Sequence, residues 1–155
     1  MKRIICWFLV FALTIGISAR EYSVKDVPNV QLQDRTRHLV NPDGIISPAV
    51  AAQIDSLLLD ARRTASAEVV AVVLDDINND DIDWFATDLF NTWGIGKKDK
   101  NNGILLLVAM QKRALTIRTG YGAEGILPDI ICGRIINNII IPHFKDGDYE
   151  GGVLA

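Results

Sequence analysis

Two short runs in this chain have no polar face. Glu68–Leu74 reads EVVAVVL and Ile104–Ala109 reads ILLLVA. A strand with one wet face alternates apolar and polar residues, whereas one that is apolar almost throughout must be covered on both faces. The cover is available nearby. Ser47-Pro48 opens a helix, with serine as N-cap and proline at the first helical position, and Val50, Ile54, Leu57, Leu58 and Ala61 follow at helical spacing to about Thr64. Asp81–Thr92 is a second helix, with Trp84, Phe85, Leu89 and Trp93 on a common side expected to face the core. Asp80 or Asp81 can cap it, and Gly94 suits its left-handed stop. A third opens at Pro128-Asp129, runs through Ile130, Ile131, Ile135, Ile136 and Ile139, and is expected to stop at Pro142.

Leu39–Ile46 supplies a short strand and a Pro42-Asp43-Gly44 turn. Ala114–Thr119 alternates as an outer strand would, and it joins Ile104–Ala109 through the polar turn Met110–Arg113. The order β-α-β-α-β-β-α predicts an α/β fold, a three-layer α/β/α sandwich on a mixed β-sheet, with right-handed parallel crossovers. Asp146–Ala155 reads as the beginning of a further helix, with the domain expected to run on past it.

Met1–Ala19 has the layout of a secretory leader: Lys2 and Arg3, the apolar run Ile4–Ile17, then Ser18-Ala19. It is short for a membrane span. An exported, periplasmic, cell-envelope or secreted protein is expected. Arg20–His38 reads as an extended lead-in, and residues 39–155 as one domain. Cleavage would remove Cys6, leaving Cys132 alone, so stability rests on the core and not on a disulfide. It would also remove Lys2 and Arg3, moving the formal charge from −3 to −5. An acidic chain with no basic run longer than Lys97-Lys98 does not suit nucleic acid.

The hairpin returns the chain beside itself, so Lys97–Gly103 and Thr119–Gly125 should meet at one sheet edge. Asp99, Asn101, Asn102, Glu124 and Asp129 then offer oxygen ligands of the kind that calcium or magnesium takes, and Asp43 lies in another strand-to-helix loop. The other reading is that Asp129 caps its own helix while Asp99 and Glu124 face water. Arg118, closing a strand beside the glycine loop, is a candidate grip for a phosphate or carboxylate, or a partner for Glu124 or Asp129.

Other motifs explain less. Gly120-x-Gly122-x-x-Gly125 follows a strand, but Pro128 starts the helix too late to present its amino end to a pyrophosphate. Asp76–Asp80 lacks the glycine and the glutamate of an EF-hand and reads as solvated acids before a helix. There is no Gly-x-Ser-x-Gly elbow. His38 and His143 read as packing or surface residues, and Cys132 as a small core residue.

Asp43-Gly44 before Ser47-Pro48, Trp93-Gly94-Ile95-Gly96, Asn101-Asn102-Gly103, Arg118-Thr119-Gly120-Tyr121-Gly122, Glu124-Gly125-x-Leu127-Pro128-Asp129 and the late Pro142-x-Phe144 and Gly147-Asp148-Tyr149 segments together resemble the TPM-domain family. The resemblance implies an α/β/α domain outside the cytoplasm, often followed by a membrane anchor that this sequence does not contain. It also implies a link to divalent cations and to envelope-protein maintenance, with envelope or membrane proteins as partners, and a phosphatase label. By loop position, Asp43, Asp99, Glu124 and Asp129 are the candidate cation ligands. Two functions follow: a cation-binding module acting through protein contacts, or a metal-dependent phosphatase in which Arg118 holds the phosphate.

Overall fold

The computed structural model describes residues 18–96 and 99–155. Nearly all of the expected leader, and Lys97-Lys98 of the first loop, lie outside the described residues. The main sheet has four strands in the order β2 (Leu39–Val40), β3 (Glu68–Leu74), β5 (Gly103–Ala109) and β6 (Ala114–Thr119). The first three are parallel and β6 is antiparallel to β5. β3 and β5 pair along their whole length, from Glu68 opposite Gly103 to Leu74 opposite Ala109.

Alternation along these strands divides the core. Val70, Val72, Leu74, Leu105 and Leu107 point to one face, where Phe85, Ala86 and Leu89 of α2 (Ile82–Trp93) cover them. Ala71, Val73 and Val108 point to the other, beneath Val50, Ile54 and Leu58 of α1 (Pro48–Thr64). The three-layer sandwich follows. Because β2, β3 and β5 succeed one another in one direction while α1 and α2 lie on opposite faces, the two crossovers have opposite hands. One therefore departs from the right-handed expectation. Burying β3 on both faces outweighs the twist preference.

Trp84 does not join the core; it is 57% exposed. Phe85, Ala86 and Leu89 define the sheet-facing stripe, and at about 100° per residue position 84 lies off it. Leu57 is likewise exposed on α1. Asp81 caps α2 by accepting from the Asp83 and Trp84 amides, and Gly94 ends it in the left-handed conformation (φ 60°). Ser47 precedes α1, but its side chain makes no capping bond; its amide donates to the carboxylate of Glu150 instead.

The lead-in is not merely extended. Glu21–Tyr22 is β1, paired with β4 (Asp76–Ile77), and Val24–Asp26 and Val30–Leu32 are 3-10 turns. Tyr22, Val27 and Val30 are buried in the α2-side core, so the packed unit begins before residue 39. Buried His38 holds Nδ1 3.1 Å from the Val69 carbonyl and 3.0 Å from Gln31 Nε2, a packing role.

Pro142 does not end the third helix. α3 (Asp129–Ile135) widens into a π-helical stretch, Ile136–Ile140, and resumes as α4 (Ile141–Lys145), with Pro142 in its first turn. A proline cannot donate to the carbonyl four residues back and its ring crowds that carbonyl; a wider turn at this point relieves both conflicts. α5 (Tyr149–Leu154) follows, and Phe144, Val153 and Leu154 complete the α1-side layer. Among the described residues no helix is long and apolar enough to cross a membrane.

One carboxylate fixes β2 to α1. Asp55 Oδ1 accepts from the amides of His38 and Leu39 at 2.6 and 2.7 Å. Asp55→Ala leaves both buried donors unmet, and urea denaturation should show a loss of about 2–4 kcal/mol. A loss no larger than that of an exposed control, Asp60→Ala, would refute this role.

Candidate functional site

The two glycine loops do meet at the amino-terminal edge of the parallel strands, and they meet through their backbones. The Gly120 amide donates to the Gly103 carbonyl and the Gly122 amide to that of Asn101, both at 2.9 Å. A Cβ built on Gly122 would fall on the Lys100 carbonyl oxygen, and one on Gly120 on that of Asn101. Gly120 and Gly122 are there so that one loop can lie on the other. Ala123 is buried beneath it, beside Ile104 and Ala67.

The side chains around this contact point elsewhere. Asp99, Asn101, Glu124 and Asp129 are exposed. Asp129 opens α3, yet the N-cap is Pro128 and no side-chain cap forms. Asn102 alone turns inward, donating from Nδ2 to the Ser66 carbonyl. Asp43 is at the other end of the sheet. β5 separates the two edges by seven residues, roughly 20 Å at strand rise. Asp43, Asp99, Glu124 and Asp129 therefore do not fit one cation centre. Among the described residues no three histidine, cysteine or acidic side chains are gathered as a group that could hold a metal ion.

Arg118 faces neither the glycine loop nor its acids. Alternation puts residues 114, 116 and 118 of β6 on the α2 face. There Arg118 Nη2 pairs with Asp83 Oδ1 at 3.0 Å, and the Thr116 hydroxyl donates to the same oxygen at 2.6 Å. The arginine thus clamps the first turn of α2 to the outer strand.

The carboxyl ends of β2 and β3 offer a different site. Their onward connections run to opposite faces of the sheet, and in open α/β sheets ligands usually lie between two such exits. Asp43 stands in the first exit and Asp75 in the second. Asp43 Oδ1 accepts from the Tyr22 hydroxyl at 2.7 Å and Oδ2 from the Asp75 amide at 2.9 Å. Asp75 Oδ2 accepts from the Arg20 amide at 2.9 Å and Oδ1 from Gln111 Nε2 at 3.3 Å. Among the described residues neither carboxylate has a salt-bridge partner. The Arg20 guanidinium lies over the Tyr22 ring, 4.9 Å from its centre, and Lys112 is held by Asp80 at 3.0 Å. Burial, and then the bond to Asp43, push the Tyr22 phenol up to about 12.

The TPM domain family matches residues 39–155. This chain belongs to that family. The N-terminal domain of a protein from P. gingivalis shares 38% identity with a TM-score of 0.81, over 87% of this chain and 86% of that one. The N-terminal domain of the cg2496 protein from Corynebacterium glutamicum (17% identity, TM-score 0.61, covering 76% and 72%) and the BA42 protein from Bizionia argentinensis (20%, 0.63, covering 74% and 77%) share the fold. No curated protein matches.

Cys132 is buried, and burial raises its thiol further from the reactive thiolate. His143 Nδ1 lies 2.9 Å from Asp148, which also caps α5. The sequence reading passed over Asp75, Tyr22 and Gln111. The available signal was an acid immediately after a doubly covered strand, at the carboxyl end of a parallel sheet.

Two outcomes test this description. Gly122→Ala should cost several-fold more stability in urea than Gly125→Ala, whose added methyl meets nothing within 4 Å; equal losses would refute the loop-on-loop contact. The Tyr22 value lies above the ordinary 10.0, so its stabilisation is present below that pH and is lost as pH rises toward about 12. The alkaline fall in the urea midpoint should be shallower in Tyr22→Phe, and an unchanged slope would count against the assignment.

Proposed function

We propose that this TPM domain is exported and binds a divalent cation in the crevice between the exits of β2 and β3, with Asp43 and Asp75 as its carboxylate ligands. The observation that carries this is that the Asp43 carboxylate accepts from the Asp75 amide, which sets the two acids side by side in the chain fold, with no salt bridge to either among the described residues. Calcium and magnesium take such oxygens, and backbone carbonyls or water fill the remaining positions. Export rests on the Met1–Ala19 leader pattern.

The domain then works as a non-catalytic module that contacts envelope proteins. Support comes from the opposite edge, where Tyr121, Ile126 and Ile130 are 84%, 66% and 65% exposed along the glycine loop and the start of α3. Exposed apolar side chains grouped in this way are typical of protein contacts. The phosphatase alternative is less favoured, because its proposed anion grip, Arg118, pairs through Nη2 with Asp83.

Titration with calcium and with magnesium, followed by amide NMR, tests the cation site. Millimolar cation should shift residues 41–46 and 74–77, and Asp43→Asn or Asp75→Asn should weaken binding about tenfold or more, as loss of a charged ligand does. Tyr22→Phe frees Asp43 Oδ1 and should tighten binding. A crevice that stays unshifted, or shifts confined to residues 99–103 and 119–129, would overturn the assignment.

A further inference from the structure

A second cavity, of about 680 Å³, opens between the β5–β6 hairpin and the C-terminal helices. Its volume is within the range of small-molecule sites, about 300–1,000 Å³. Val108, Leu115, Ile136, Ile141 and Phe144 give it an apolar wall. Its charged lining residues are Arg113 and Lys145, with no acid among the lining residues. Among the described residues neither cation has an ion pair or a side-chain hydrogen bond. Arg113 and Lys145 are exposed at the rim of this apolar wall.

The π-helical stretch builds part of that wall. The Ile141 amide donates to the Ile136 carbonyl, five residues back. In an α-helix residues five apart are about 140° apart around the axis; the wider turn brings both isoleucines to the same cavity. Such π segments recur at functional sites.

We infer that this cleft binds a single-chain amphipathic carboxylate, its apolar tail against Leu115, Ile136, Ile141 and Phe144 and its head between Arg113 and Lys145. The wall selects an apolar body. The cations select an anion, and the arginine can fork a carboxylate through two N–H donors. An uncharged amphiphile would leave that selection unused. This site is separate from the crevice at Asp43 and Asp75.

Dodecanoate and dodecanol, titrated separately into the folded protein below their aggregation limits, provide the test. Dodecanoate should bind saturably and shift the amides and methyls of Leu115, Ile141 and Phe144. Dodecanol should bind at least about tenfold more weakly, the factor set by a charge-assisted pair. The double variant Arg113→Gln with Lys145→Gln should lose that advantage and leave dodecanol binding unchanged. Leu115→Trp, on the strand face that lines the cavity, fills it and keeps both cations, and should abolish binding of both. Equal affinity for acid and alcohol, an unaltered preference in the double variant, or dodecanoate binding that survives Leu115→Trp would each overturn the proposal.

Discussion

The structure depends on the ladder between β3 and β5, seven residue pairs of which six, from Val69–Ile104 to Leu74–Ala109, are apolar on both strands. Each fully buried valine, leucine or isoleucine contributes about 1.5–3 kcal/mol relative to exposure, so neither face can be left to water. That requirement sends α1 and α2 to opposite sides. It also places the proposed crevice, because the exits of β2 and β3 diverge to opposite faces. Asp43 and Asp75 are neighbours for the same reason that Val72 and Val73 are covered from different sides.

The two ends of the sheet then differ in chemistry. At the amino-terminal edge the chain approaches itself so closely that only glycine fits, and main-chain amides and carbonyls satisfy one another. Its carboxylates are left to solvent. At the carboxyl edge the contacts run through side chains. Tyr22 and Gln111 donate to acids there, and the lead-in closes over them through the β1–β4 pair. This is why the buried core reaches back to Tyr22 although the family match starts at residue 39.

Much of the fold was legible in the sequence because its signals are local. EVVAVVL specifies a doubly covered strand, and Asp81 and Gly94 bracket α2 as capping chemistry requires. The site was less legible because it depends on direction. Sequence distance places Asp43 in a loop but does not say at which end of the sheet, and that is decided by β2 running parallel to β3. Arg118 was read by its neighbours along the chain, Thr119 and Gly120, whereas strand alternation gave it to Asp83 across the layer. Trp84 failed for a related reason: a common helical side is wider than the stripe that touches the sheet. Pro142 was read as a stop because a π turn leaves no residue signature of its own.

The turn Met110–Arg113 connects the two proposed sites. Its backbone is pinned to β3, with the Met110 amide donating to the Leu74 carbonyl and the Gln111 amide to that of Asp75. Gln111 Nε2 reaches the Asp75 carboxylate, while Met110 and Arg113 line the cleft on the other side. A cation that draws Asp75 Oδ1 away from Gln111 acts on the same turn of chain that carries Arg113. If such an ion changes the affinity of the cleft for a carboxylate, the carboxylate must change the affinity of the crevice for the ion by the same factor. β5 and β6 are paired without interruption from Ile104 to Ala109 on one strand and from Thr119 to Ala114 on the other. The turn, and not the buried ladder, touches both proposed sites.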